Sequence, residues 1–130
     1  MESILKIQIP IFNDTLQVFF GDPEDAVKAL VKDGISESNA RLYFKQAKVE
    51  NANGIYSYLS QEDYSLIWMP NIPKTVKDYA NLVHELQHFV FYFLERRGFT
   101  HSADSDEMYS YLLEFVYGEV DSAVSNNALA

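Results

Sequence analysis

The sequence predicts a single α+β domain. Its length of 130 residues is typical of one domain. The first half carries two pairs of short apolar segments that each flank a turn, which is the pattern of β-hairpins. Two long segments near the C-terminus repeat apolar residues at steps of three and four, which indicates helices. The predicted order is ββα(α)ββαα, with one domain over residues 1–124 and a disordered tail over 125–130.

Local residues define each element of the first half. Residues 4–9 (ILKIQI) and 16–20 (LQVFF) read as strands joined by a turn at Asn13 and Asp14. Asp22 can cap a helix that has Pro23 in its first turn, runs to about Lys32 and stops near Gly34. Residues 36 to about 48 favour a short helix, which carries Leu42, Tyr43 and Phe44.

The second half begins with a turn at residues 51–54 (NANG). Residues 55–59 and 64–69 (YSLIWM) then read as two strands joined by a polar loop. The helical pattern follows over residues 75–97, where Gly98 is a natural stop. A second long helix is predicted from Asp104 to about Asp121.

Charge and composition argue against several classes of partner. The chain has 10 Lys and Arg against 19 Asp and Glu, a net charge of −9, and binding phosphates requires clustered cations. It has no Cys, which excludes disulfides, Cys-ligated zinc and a thiol nucleophile. The N-terminal residues do not resemble a signal peptide, and no apolar stretch is long enough to span a membrane. We therefore expect a cytoplasmic protein that binds neither nucleic acid nor membrane.

Residues 84–88 form an H-E-x-x-H motif inside the first long helix. His84 and His88 are one turn apart on the same helix face, so both imidazoles can reach one ion at Zn–N distances of about 2.0–2.1 Å. Glu85 is turned by about 100° around the helix. A carboxylate there can reach a water that zinc acidifies and take its proton. The spacing predicts two neutral zinc ligands and one general base.

The motif has apolar neighbours, namely Val83, Leu86, Phe89, Val90 and Phe91. At least part of the motif should therefore face the interior, where a pair of imidazoles needs partners. A bound metal would supply them. The other interpretation is a pair of polar residues on a solvated helix face, and we favour metal binding.

A third ligand is expected because catalytic zinc sites usually have three protein ligands. The extended motif with a third His requires Gly at position 91 and His at 94, where this chain has Phe91 and Leu94. A carboxylate on the following helix remains, and Glu107 and Glu114 are the candidates. They share one helical stripe and can face the first helix if the two helices pack antiparallel.

Each glutamate has its own argument. Asp104 and Glu107 have the spacing of a capping box, which is a structural alternative for Glu107. The short loop between the helices brings the start of the second near the end of the first. A ligand one or two turns into the second helix then fits His88 better, and this geometry slightly favours Glu114.

Three other features are candidates at such a site. His101, in the loop between the helices, is either solvated or a donor to the developing oxyanion. Tyr111, on the glutamate stripe, is either a core residue with its hydroxyl at the rim or a second donor. The strand at residues 64–69 precedes the motif helix, where an edge strand can pair with an extended peptide, although its side chains read as an ordinary core strand.

These residues resemble the zincin metallopeptidases of the gluzincin type, in which a later helix supplies a zinc-binding Glu. The resemblance covers about residues 64–117. It implies zinc at His84, His88 and Glu107, with Glu85 as general base. Glu114 stays the alternative, and the glutamate that is not a ligand would orient a histidine. The stretches VFFGDPE, YSLIWMPNIP, NLVHELQH and DSDEMYSYLLEFV are also similar to small zinc-peptidase-like proteins of phages.

The sequence thus predicts a small zincin-like domain and a zinc-dependent hydrolase that cleaves a peptide or protein substrate. Its catalytic residues would be Glu85, Tyr111 and His101, its cofactor Zn²⁺, and its location the host cytoplasm if a phage encodes it. One alternative is a catalytically inactive binding or virion-associated protein in which the metal is structural. Another is a metal-free structural module. Substrate preference and oligomeric state are left open.

Overall fold

The computed structural model describes residues 3–50 and 53–126, and within those ranges the chain forms four strands and four helices. In chain order these are β1 (Ser3–Ile9), β2 (Asp14–Phe20), α1 (Pro23–Lys32), α2 (Glu37–Glu50), β3 (Ile55–Leu59), β4 (Tyr64–Met69), α3 (Val76–Arg96) and α4 (Asp106–Ser125). The predicted α+β class and the predicted order of elements are confirmed. In the turn expected at residues 51–54, Asn51 and Ala52 lie outside the described residues.

The four strands form one sheet in the order β1-β2-β4-β3. Both hairpins are antiparallel, as predicted. They are joined by parallel pairing of β2 with β4, in a register that sets Leu16 opposite Ser65 and Phe20 opposite Met69. The two helices between the hairpins are the crossover that this parallel pairing requires.

Helices cover both faces of the sheet. Ile67 and Met69 of β4 belong to the hydrophobic core shared with α3 and α4. Leu66 and Trp68, which alternate with them, belong to the core shared with α1 and α2. All six residues of β4 are buried as a result, which explains why residues 66–69 of this strand form a continuous apolar run.

The first two helices largely follow their sequence signals. The Asp22 carboxylate accepts a hydrogen bond from the Glu24 N–H at 2.8 Å, and α1 ends before Gly34, as predicted. Helix α2 runs to Glu50, slightly beyond its expected end. Of the three residues expected to characterise α2, Tyr43 and Phe44 are buried, whereas Leu42 is 68% exposed.

Helix α3 begins at a capping box. The Thr75 hydroxyl accepts from the Asp78 N–H at 3.1 Å, and the Asp78 carboxylate accepts from the Thr75 N–H at 3.2 Å. At the other end, Gly98 has a φ of 88°, which suits glycine just past a helix C-terminus. The predicted helix over residues 75–97 is confirmed to within one residue at each end.

Helix α4 packs antiparallel to α3. The ring of Phe91 lies 4.9 Å from that of Tyr109, and the ring of Tyr79 lies 6.3 Å from that of Tyr117. An early residue of α3 therefore meets a late residue of α4. None of the helices in the described ranges combines the length and the apolar content needed to cross a bilayer.

The expected boundaries of α4 were wrong at both ends. The N-cap is Ser105 rather than Asp104, and its side chain makes no capping hydrogen bond; the Ser105 hydroxyl instead donates to the Thr100 carbonyl at 2.6 Å in the preceding loop. The helix then continues to Ser125, with Asn126 as its C-cap, so it extends into the expected tail. Residues 127–130 of that tail lie outside the described residues.

Candidate metal centre

Helix α3 divides the motif between two environments. Glu85 faces the sheet and is 9% exposed. His84 and His88 lie on the solvent side, and the His84 side chain is 68% exposed. Part of the motif was expected to face the interior, and the burial of Glu85 confirms this. The idea that the imidazoles need a metal because they are buried was wrong: Leu86, Phe89 and Val90 turn inward, whereas both rings lie on the solvent side.

The two imidazoles lie together, as the spacing predicts. Their Nε2 atoms are 3.2 Å apart, and the ring centroids are 4.7 Å apart with the planes at 85°. Because the α-helix advances about 1.5 Å per residue, a four-residue step stacks the two side chains one turn apart. The two Nε2 atoms thus lie within hydrogen-bonding distance of each other on the solvent side of α3.

This separation fits a shared zinc ion. Two ligands at about 2.05 Å with a tetrahedral angle between them have nitrogens about 3.3 Å apart. Neutral imidazole nitrogen is also a ligand that suits zinc. The same separation allows a direct N–H···N hydrogen bond in which one ring donates and the other accepts. The pair therefore fits two of the ligands that a zinc site needs.

Glu85 is held by the backbone of β3. Its Oε1 accepts a hydrogen bond from the Tyr56 N–H at 2.8 Å, and its Oε2 lies 3.9 Å from Nε2 of His84. The pKa of the Tyr43 hydroxyl is raised well above its ordinary value, mainly because the group is buried and to a smaller extent because of the negative charge of Glu85. One carboxylate oxygen is thus anchored, while the other is on the side of the imidazoles.

Gly54 lies directly against this carboxylate. A Cβ at position 54 would be 2.7 Å from Sδ of Met69 and 3.2 Å from Cγ of Glu85. No larger residue fits without displacing a side chain of the site. The sequence indicated Gly54 only as a turn residue and gave no sign of this contact.

The strand at the sheet edge beside the motif is β3. The sequence considered β4 for this role, because β4 directly precedes the motif helix. In the structure β4 is internal, with β2 on one side and β3 on the other. The backbone of β3 donates a hydrogen bond to Glu85, and β4 is not an edge strand, so that part of the prediction was wrong.

Helix α4 contacts α3 through a face adjacent to the one that carries Glu107 and Glu114. Tyr109 and Tyr117 make the ring contacts with α3. Glu107 and Glu114 are both exposed. Glu114 lines a groove with Val83, the neighbour of His84, whereas Tyr111 is 65% exposed and lines a separate groove with Glu114 and Gly118.

His101 belongs to a different cluster. Its Nε2 lies 2.9 Å from a carboxylate oxygen of Asp106, and its ring packs edge-on against Phe91 and Tyr109. The groove that it lines includes Gln87 but neither motif histidine. Asp106, in the first turn of α4, thus gives the imidazole a partner of its own.

Three residues next to the motif were not predicted from the sequence as site residues. Tyr92 and Arg96 follow His88 at steps of four along α3, a signal that could have found them. Tyr56 stacks on Tyr92 at 5.9 Å and comes from β3, for which the sequence gave no signal. Together they extend the exposed surface of the motif toward the end of the helix.

Over residues 3–50 and 53–126, no group of three or more His, Asp or Glu side chains lies close enough together to hold one ion. The histidine pair is therefore the assembled part of the candidate site, and the structure does not bring Glu107 or Glu114 together with it. The chain matches no family model, no curated protein and no solved structure.

Proposed function

We propose that this chain is a zinc-dependent hydrolase that cleaves peptide bonds. The observation that carries the proposal is the exposed pair of imidazoles, with Nε2 atoms 3.2 Å apart and the Glu85 carboxylate beside them. A structural zinc site is closed by four protein ligands, whereas a catalytic site keeps a position open. The exposure of the pair therefore favours catalysis over a structural metal.

His84 and His88 would hold the ion through Nε2, each in its neutral form. Zinc, when bound, acidifies water and polarises a carbonyl oxygen. Glu85 takes the proton of the attacking water at Oε2 and delivers it to the departing amine. The Tyr56 N–H fixes Oε1 and so keeps Oε2 on the side of the imidazoles. No step is assigned to Tyr111 or His101.

The third ligand in this proposal is a glutamate of α4. The resemblance to gluzincins favours Glu107. The groove that Glu114 shares with Val83 favours Glu114, because Val83 adjoins His84. Zinc affinity separates the two, since Gln at the ligand position weakens binding, whereas loss of a residue that only orients a histidine has a smaller effect.

Zinc binding is tested on protein purified without added metal, by mass spectrometry and titration calorimetry. We expect one zinc per chain in the wild type and loss of zinc in both His84→Ala and His88→Ala. His101→Ala is the matched control and keeps its zinc, because His101 is held by Asp106 in another groove. Equal loss in all three variants, or a wild type that binds no zinc, contradicts the proposal.

Catalysis is tested with Glu85→Gln on a broad peptide library. The amide still accepts the Tyr56 hydrogen bond but cannot take a proton, so we expect zinc and fold to be kept and turnover to fall by about 100-fold or more. The competing function is an inactive binding or virion-associated protein. A wild type that binds zinc and hydrolyses no peptide favours that function.

A further inference from the structure

A row of side chains continues from the histidine pair toward the C-terminal end of α3. The Tyr92 ring lies 6.5 Å from the His88 ring, and the Tyr56 ring stacks on Tyr92 at 5.9 Å with planes only 12° apart. Nη1 of Arg96 donates to the Tyr56 hydroxyl at 3.4 Å. We call Tyr56, Tyr58, Tyr92 and Arg96 the tyrosine–arginine patch. It links a cation directly to the surface around the histidines.

The Arg96 guanidinium lies over an aromatic ring. Its central carbon lies 3.6 Å from the centroid of Tyr58, while the Tyr58 hydroxyl donates to Asp63 at 2.7 Å. Stacking orders the guanidinium and leaves N–H groups at its edge for a ligand. The ion pairs found among the described residues do not include Arg96.

The charge of the patch is opposite to that of the molecule. The chain carries a net charge of −9, so an anionic ligand is repelled by most of its surface. The exposed Arg96, at the far end of the row of side chains that starts at His88, is where such a ligand gains a partner. A planar carboxylate matches the geometry of the guanidinium edge better than other common groups of a peptide.

We propose that the tyrosine–arginine patch is a subsite that selects peptides carrying a carboxylate, an inference that rests on the proposed function. Arg96 holds the carboxylate, and the rings of Tyr56 and Tyr92 support the intervening peptide. Arg96 lies eight residues beyond His88, about 12 Å along the helix axis. An extended peptide covers that distance in about three or four residues, which sets the spacing between the carboxylate and the cleaved bond.

Binding is measured by fluorescence anisotropy with zinc-loaded Glu85→Gln protein, which does not consume its ligand. The probes are fluorescein-labelled, alanine-rich octapeptides. One series moves a single Glu, or its Gln counterpart, along a C-terminally amidated peptide. A second series compares a free C-terminal carboxylate with the amide. We expect carboxylate peptides to bind about tenfold more tightly than their neutral counterparts, and the series that shows this identifies the source of the carboxylate.

Arg96→Gln, added to this protein, should abolish the preference for the carboxylate. Lys77→Gln is the matched control, because it removes the same charge from an exposed position on α3, seven residues before His84. We expect Lys77→Gln to keep the preference, and circular dichroism shows whether each variant is folded. The proposal is overturned if the parent protein binds acidic and neutral peptides equally well. It is also overturned if Arg96→Gln and Lys77→Gln lose the preference for the carboxylate to the same extent.

The proposed function and this subsite fail in different ways. Hydrolysis by the wild type without any preference for a carboxylate overturns the subsite and leaves the hydrolase standing. Binding that depends on the carboxylate and on Arg96, without hydrolysis by the wild type, upholds the subsite and removes the hydrolase. If both hold, Arg96→Gln raises KM for acidic peptides about tenfold and changes kcat little, because Arg96 is remote from the reacting bond.

Discussion

Two contacts with neighbouring residues fix the orientation of the Glu85 carboxylate. The Tyr56 N–H binds one of its oxygens, and Gly54 provides the space for its side chain. Both contacts come from a segment about 30 residues earlier in the chain than the motif. The position of the proposed base therefore depends on residues that carry no chemistry themselves.

Gly54→Ala tests this dependence. The new methyl group would lie 2.7 Å from Sδ of Met69 and 3.2 Å from Cγ of Glu85, so a buried side chain has to move. We expect the free energy of unfolding to fall by about 1–3 kcal/mol, measured by urea denaturation, and the proposed hydrolysis to weaken because the new methyl group also crowds Glu85. Gly118→Ala, where nothing lies within 4 Å of the new Cβ, is the control and should stabilise α4 by about 0.5–1 kcal/mol. A Gly54→Ala protein as stable as the wild type contradicts this account.

At the scale of elements, the sequence was informative wherever the cause is local. The capping residue Asp22, the start of α3 after residue 75 and the pairing of His84 with His88 all depend on residues within one or two turns. The start of α4 was missed because Ser105 bonds backward to Thr100, a contact that the spacing of Asp104 and Glu107 does not reveal. The edge position of β3 was missed because strand pairing is decided between distant segments.

The start of α3 should make stability depend on pH. Asp78 accepts hydrogen bonds from the backbone N–H groups of Lys74 and Thr75, which lower the pKa of its carboxyl. A lowered pKa in the folded state means that the ionised group stabilises the fold above its ordinary pKa of about 4. That contribution is lost as the pH falls through the lowered value.

Asp78→Asn should therefore be less stable than the wild type near neutral pH, and the difference should shrink in acid, where Asp78 itself becomes neutral. Urea denaturation over roughly pH 2–7 measures both proteins across the titration of a carboxyl group. Asp104→Asn, which alters an exposed carboxylate before α4, is the control and should change the stability near neutral pH less than Asp78→Asn does. A difference for Asp78→Asn that is constant over the whole range contradicts this explanation.

At the scale of the whole molecule, the sheet lies between two helical layers and packs against both of them. Strand β4 carries Ile67 and Met69 on the side of α3 and α4, and Trp68 on the side of α1 and α2. The parallel pairing of β2 with β4 then connects the two hairpins through the middle of the sheet. Because both layers use the same strands, neither can lose its packing while the other keeps a complete sheet, and we expect them to unfold together.

Leu86→Ala tests whether the layers are coupled. Leu86 is fully buried in the core of α3 and α4, on the far side of the sheet from Trp68, whose indole donates to the Gly21 carbonyl at 2.9 Å. We expect the free energy of unfolding to fall by about 2–5 kcal/mol. Trp68 fluorescence and far-ultraviolet circular dichroism should shift to the same lower urea concentration. Leu42→Ala, at a position 68% exposed, is the control and should change stability by less than about 0.5 kcal/mol. A fluorescence transition that stays in place while the dichroism shifts would mean that the two layers unfold separately.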